Sequence, residues 1–232
     1  TGRRRPLQSM KHAEAPIPTP RGVLFDFDGT LAPNLDLMDM RRQLVVMAEQ
    51  TDIPRAVYQD LYIVEMIEAG SRWLGAHRSE RQAQDYAQAS QQRIIDIELA
   101  AAAETTLFPF VRTLLSRLNG ESIRLGIVTR NCRAAIHRMF PDHEDYVQAL
   151  HARDDVAHLK PDPRHLEVNL QALDVDPKEA VMVGDGILDM QAGLALQMHC
   201  VGVLSGSNDT EALVAAGAHK VLPDASQLAD LF

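Results

Sequence analysis

Cysteine is scarce: Cys132 and Cys200 are the only two in 232 residues. They lie far apart and form no C-x-x-C pair, which argues against a disulfide framework and offers no zinc-site spacing. A reducing compartment, the cytoplasm, is the expected setting. Long apolar runs are also missing. Nothing approaches the roughly 18 residues a membrane span requires, and the basic N-terminal stretch is not followed by the apolar core of a secretory signal. Positive charge is in deficit, with 23 Lys and Arg against 32 Asp and Glu and a formal net charge of -9. That balance disfavours a nucleic-acid surface built on phosphate neutralisation, so cations that hold an anionic substrate must be concentrated locally. Lysine is absent from residues 35–106.

The hydrophobic content of 46% over this length is enough for one core with a modest insertion. Residues 1–20, with Arg3, Arg4, Arg5 and Lys11 followed by Pro16, Pro18 and Pro20, have no hydrophobic period and are expected to form a disordered tail. A basic docking arm is the alternative. The run "GVLFDF" starts a strand of the kind covered on both faces of a sheet. From residue 35 to 106 the spacing turns helical, in "LDLMDMRRQLVVMAEQ", "IPRAVYQDLYIVEMIEAG" and "ERQAQDYAQASQQRIIDIELAAAAE", with no strand candidate.

After the helix "VRTLLSRL", short apolar runs alternate with amphipathic segments. The runs cover 123–129, 146–150, 180–185, 199–204 and 220–223; helices are expected to start near Asn131, Arg164, Ile187, Asp209 and Ser226. This alternation predicts an α/β fold, a Rossmann-like doubly wound and mostly parallel sheet. The division is 21–34 with 107–232 for the α/β core, and 35–106 for an inserted helical unit.

Ligands of such sheets gather outside the carboxyl ends of the strands. The first strand ends in Asp26 and Asp28, the second in Thr129 and "AVMVGD" in Asp185, with Asp189 four residues later. Carboxylates crowded into one crevice cannot all ionise without a cation, and oxygen donors of this type suit Mg2+. Lys160, in the proline-held stretch "HLKPDP", adds a point charge able to pair with a carboxylate and bind a phosphate oxygen. Metal, lysine, hydroxyl and backbone amides together describe a phosphoryl site.

In their order, "DFDGT", Thr129, Lys160 and "GDGILD" resemble the four motifs of the haloacid dehalogenase superfamily, over about residues 21–232. The resemblance implies that Asp26 is a nucleophile forming an aspartyl-phosphate and Asp28 the general acid and base. It implies that Asp26, Asp185 and the backbone carbonyl of Asp28 hold Mg2+, and that Asp189 orients Lys160 or a metal-bound water, or joins the ligands. Thr129 and Lys160, with backbone N–H groups near Phe27, Asp28 and Arg130, bind the phosphoryl oxygens. Asn131 reads as a helix N-cap aiming a helix terminus at the phosphate, with a direct ligand role as the alternative. Gly186 stands where the family often has Ser, which is expected to alter a hydrogen bond near the metal. No ligand spacing links His137, His143, His151, His158 and His165.

The helical insertion is similar to the mobile cap of that superfamily, with hinges at residues 33–36 and 107–109. Within it "GSRWLGAHRSE" is expected to be the least helical stretch. Arg72 and Arg78 would then read the non-phosphate end of a substrate, unless Trp73 packs the cap core and the arginines are solvated. Asp28 disfavours dehalogenation, and the lysine-free cap excludes the Schiff base of phosphonate cleavage. The expected activity is hydrolysis of a small phosphorylated metabolite, of phosphoglycolate or sugar-phosphate type. A phosphomutase similar to β-phosphoglucomutase and a non-catalytic phosphate sensor are the alternatives, and oligomeric state is left open.

Overall fold

The computed structural model describes residues 17–232. Most of the expected tail therefore lies outside the described residues. At its end, Ile17 is buried in the main core rather than solvated.

Six parallel strands form one sheet in the order β3-β2-β1-β4-β5-β6. They are β1 (Gly22–Phe25), β2 (Arg124–Val128), β3 (Ala149–His151), β4 (Ala180–Gly184), β5 (His199–Val203) and β6 (Lys220–Leu222). The chain runs outward from β1 through β2 to β3, then returns to the other side of β1 for β4, β5 and β6. The strand order therefore reverses at β1, the switch point where such sheets open a crevice. Register makes that crevice sharp, because Phe25 pairs with both Ile127 and Val183. Asp26, Thr129 and Asp185 consequently leave the sheet within two residues of one another.

Both sheet faces are covered, as the uninterrupted apolar runs predict. Val23, Phe25, Leu125, Ile127, Val181 and Val183 point into one core with α4 (Val111–Gly120) and α5 (Arg133–Met139). Leu24, Val128, Met182 and Cys200 point into the other, against α6 (Arg164–Leu173), α7 (Ile187–Ala195) and α8 (Thr210–Ala216). The alternation is the two-residue period of a strand. Both cysteines are free and buried, and burial pushes the Cys132 thiol up to about 11 and the Cys200 thiol up to about 12. Neither is a reactive thiol.

Between β1 and α4 the chain is helical: α1 (Leu37–Gln50), α2 (Ile63–His77) and α3 (Glu80–Glu104). These helices share a separate core around Met40, Leu44, Met66, Ile67, Leu74, Tyr86 and Ile94. The long α3 spans roughly 37 Å at 1.5 Å per residue. It carries Ile94 in that core and Ala102 in the main one.

Several expectations need correction here. The stretch at 70–80 is not a loop, since α2 runs through Gly70, Arg72, Trp73 and Gly75 to His77. Gly70 does not break the helix because its missing side chain serves packing. A Cβ there would stand 2.8 Å from the Tyr86 ring of α3, so glycine permits the close approach of the two helices. The final helix is a 3-10 segment, Ala225–Asp230. The strand expected at 146–150 is shorter and later, because His143–Asp145 forms a 3-10 turn first. Asn131 is not an N-cap: α5 starts at Arg133 with Cys132 in the capping position. Among the described residues, no helix is long and apolar enough to cross a membrane.

Candidate active site

β1 stops at Phe25, and the next turns are built by the backbone. The Phe27 carbonyl accepts from the N–H groups of Thr30, Leu31 and Ala32, while Gly29 N–H donates to the Ala32 carbonyl. Gly29 has φ +83°, and a Cβ there would stand 2.5 Å from the Asp185 carboxyl carbon. Glycine is therefore required on both conformational and steric grounds. The Phe27 ring is fully buried, which leaves only its backbone for any ligand.

Lys160 approaches from the loop before α6 and is itself buried. Its ammonium lies 2.8 Å from Asp26 Oδ1 and 2.6 Å from Asp189 Oδ1, and donates to the Val128 carbonyl at 2.8 Å. All three of its protons are thus used. Burial opposes the charge, but Asp189 and Asp26 outweigh it and hold the ammonium above its ordinary value. The loop is held in turn by His165, whose Nδ1 accepts from the Lys160 N–H at 3.2 Å.

Asp28 is held differently. Asn131 Nδ2 lies 3.2 Å and 3.1 Å from its two carboxylate oxygens. Burial and the neighbouring Asp26 charge nevertheless push its carboxyl up to about 8, against the opposing pull of Asn131 and Lys160. A carboxyl raised in this way favours the protonated form that a proton donor needs. Thr129 is fully buried behind the site, its Oγ1 accepting from the Asn131 N–H at 3.0 Å.

Asp185 and Asp189 close the far side. Asp185 accepts from the Ser207 N–H at 2.9 Å, and Asn208 Nδ2 donates to its backbone carbonyl at 2.9 Å. Asp189 Oδ2 takes the Gly186 N–H at 3.0 Å, a backbone bond that needs no side chain at 186. Burial and the charge of Asp26 raise both carboxyls above the usual carboxylate range. One carboxylate oxygen from each of Asp26, Asp185 and Asp189 lies within 4.8 Å of the others. Three hard oxygen donors at this spacing, destabilised by their mutual repulsion, fit a divalent cation.

The site opens into a cavity of about 400 Å³. Among the sequence candidates its wall carries Asp26, Asp28, Arg130, Asn131, Lys160, Asp185 and Asp189, but not Thr129, Phe27, Arg72 or Arg78. The last two sit on the outer surface, Arg72 3.7 Å from Glu68 and Arg78 3.7 Å from Asp52. Helical geometry turns Arg72 away while Trp73 packs against the helical core, and Arg78 lies just past the end of α2.

Two arginines that sequence reasoning did not select as bridges tie the helical segment to the sheet. Arg130 makes a two-pronged ion pair with Glu65 of α2, at 3.0 Å and 2.7 Å. Arg153, just past β3, pairs with Glu98 of α3, with one bond of 2.8 Å, and both side chains are nearly inaccessible. A signal for Glu98 existed: Tyr86, Ser90, Ile94, Glu98 and Ala102 recur every four residues on the buried stripe of α3, and a glutamate there demands a partner. Arg153, Ser207 and Asn208 follow strand ends, as Asp26 and Asp185 do.

A model of haloacid dehalogenase-like hydrolases matches residues 23–203, from the first strand to the end of β5. The chain belongs to that family. Among curated relatives, the phosphoglycolate phosphatase of Yersinia pestis is 28% identical over 212 residues, 87% of this chain and 88% of that protein. That of Psychrobacter arcticus is 28% identical over 221 residues, 90% and 94% of the two chains. A hydrolase from Pseudomonas syringae shares the fold with TM-score 0.68 at 24% identity, covering 90% of this chain and 96% of that one. The β-phosphoglucomutase of Clostridium difficile does so with TM-score 0.64 at 17% identity, covering 90% and 92%. The hydrolase family and its α/β architecture with a helical insert are thereby established for this chain.

Proposed function

We propose that this hydrolase is a Mg2+-dependent phosphatase of a small phosphorylated metabolite, acting through an aspartyl-phosphate on Asp26. The observation that carries this reading is the division of labour between two aspartates two residues apart. Asp26 is ion-paired with Lys160 at 2.8 Å, whereas Asp28 is pushed up to about 8 and keeps a proton. One is equipped to attack, the other to protonate.

In the first step an Asp26 carboxylate oxygen attacks phosphorus, and the bond from phosphorus to the ester oxygen breaks. Asp28 gives its proton to that departing oxygen, which leaves as the alcohol. In the second step Asp28, now a carboxylate, takes a proton from water as the water oxygen attacks the phosphorus of the aspartyl-phosphate. Inorganic phosphate departs and Asp26 is regenerated. Lys160 keeps Asp26 oriented and lies where it can neutralise phosphoryl charge. Asn131 holds Asp28 in place, and Thr129 supports Asn131 from behind.

Asp26, Asp185 and the Asp28 backbone carbonyl would hold Mg2+, with Asp189 as a further ligand or as the orienting partner of Lys160; the ion would offset repulsion between an anionic nucleophile and an anionic substrate. The helical segment serves as a cap hinged at residues 33–36 and 107–109, excluding water during the first step and readmitting it for the second. A reducing cytoplasm suits the two buried free thiols.

The test is Asp26→Asn, assayed for phosphate release from an aryl phosphate in the presence of Mg2+. Activity should fall to background while the fold persists. Survival of turnover removes Asp26 as nucleophile, and isomer formation with negligible phosphate release replaces the phosphatase by a phosphomutase.

A further inference from the structure

Every cation on the cavity wall is already engaged. Arg41 donates to the carbonyls of Leu61, Tyr58 and Gln59. Arg130 is taken by Glu65, Arg153 by Glu98 and Lys160 by Asp26 and Asp189. Apart from the engaged Arg41 and the Arg153-paired Glu98, the wall supplied by the three helices and the Tyr62 turn is apolar, with Leu37, Met38, Tyr62, Ile63, Val64 and Ile94. Three of these side chains stay open to solvent: Met38 is 81% exposed, Leu37 51%, and Tyr62 52% even with the Arg130 guanidinium 5.8 Å from its ring centre. Exposed apolar side chains gathered at one cavity mark a surface that gains by being covered. The volume of about 400 Å³ falls in the range of pockets that enclose a whole small ligand, far more than a phosphoryl group with a two-carbon acid requires.

We propose that the cavity selects phosphomonoesters whose alcohol portion is uncharged and apolar, with Met38, Tyr62 and Leu37 as specificity-determining contacts. This inference rests on the phosphatase reading above and names its substrate class. A carboxylate in the outer cavity loses water and meets no unpaired cation, so it enters at a cost. An alkyl or aryl group instead covers side chains that are otherwise wet. The departing group takes the Asp28 proton and leaves as a neutral alcohol, so no charge has to be held at that end after cleavage.

The experiment uses the full chain with Mg2+ and a matched pair of esters, hexyl phosphate and 6-phosphonooxyhexanoate. They differ only in a terminal methyl or carboxylate, which keeps the reacting end the same. The readout is the ratio of their kcat/KM values from phosphate release. Hexyl phosphate should be preferred by about tenfold or more, the scale on which a buried group mismatched to its pocket is rejected. Met38→Lys, at an exposed position that tolerates change, should lower the ratio by about tenfold. Val46→Lys should leave it unchanged, because Val46 is 45% exposed on the same helix but off the cavity wall.

A wild-type ratio at or below one overturns the inference, as does an equal shift in the two lysine variants. Hydrolysis of phosphoglycolate without hydrolysis of hexyl phosphate also overturns it while leaving the phosphatase reading intact. Failure to release phosphate from any ester defeats both.

Discussion

His165 makes the fold acid-sensitive in a way that can be isolated by one substitution. It lies fully buried in the first turn of α6. Its Nδ1 accepts from the Lys160 N–H and its Nε2 stands 3.2 Å from the His151 carbonyl, so both ring nitrogens are used by the neutral Nε2–H tautomer. A proton added at Nδ1 would face an N–H donor. Burial first, then the Lys160 charge, lower its pKa from 6.5 to about 3, with His151 and Arg130 also unfavourable to a positive ring. The unfolded chain therefore binds a proton below pH 6.5 that the folded chain refuses until about pH 3. Stability is full above the unfolded pKa and declines as pH falls. Between pH 7 and pH 5 the loss from this residue is about 2 kcal/mol. Urea unfolding of the wild type and His165→Gln at the two pH values isolates it, since other titrating groups are common to both proteins. The wild type should lose about 2 kcal/mol more than the variant on acidification. Losses equal within about 0.5 kcal/mol would refute the reasoning.

The remaining predictions concern the joints of the site. Glu98→Ala leaves Arg153 buried without its partner and should cost about 3–5 kcal/mol in urea unfolding. The double variant Glu98→Met with Arg153→Met should recover most of that loss, because it removes the stranded charge. Gly29→Ala forces a side chain into φ +83° and against the Asp185 carboxylate, so its unfolding free energy should fall by at least ~1 kcal/mol, with weakened Mg2+ binding by calorimetry. EDTA should abolish phosphate release and added Mg2+ restore it. Independently of activity, Mg2+ at a hundred times its Kd should raise stability by about 2.7 kcal/mol, an increment that Asp185→Asn should remove.

Which residues meet at the carboxyl end of the sheet was legible in one dimension. Short apolar runs that stop at Asp26, Thr129 and Asp185 announce parallel strands, and a polar residue at such an end has one place to go. Lys160 was legible by its chemistry and order, and the structure brings its ammonium between Asp26 and Asp189. The helices of the insertion were legible as a class, and α3 follows its sequence period from Glu80 to Glu104.

What lay beyond the sequence was which way each helix turns. Gly70 and Gly75 looked like a break until Tyr86 of α3 supplied the reason for a missing side chain at 70; the helix that results carries Arg72 outward, and Arg78 follows its end on the surface. The ion pairs Arg130 with Glu65 and Arg153 with Glu98 join residues distant in the chain, so no local spacing encodes them. The same pairings engage two of the four cations on the cavity wall, Arg41 and Lys160 being held by backbone carbonyls and by aspartates. Local pattern and the directionality of parallel strands determined which carboxylates, hydroxyl and lysine gather in this protein, because polar residues at strand ends converge on one crevice. The lining of the cavity beyond them was decided only in tertiary structure, because whether an arginine faces open space or a glutamate depends on which helix packs against it.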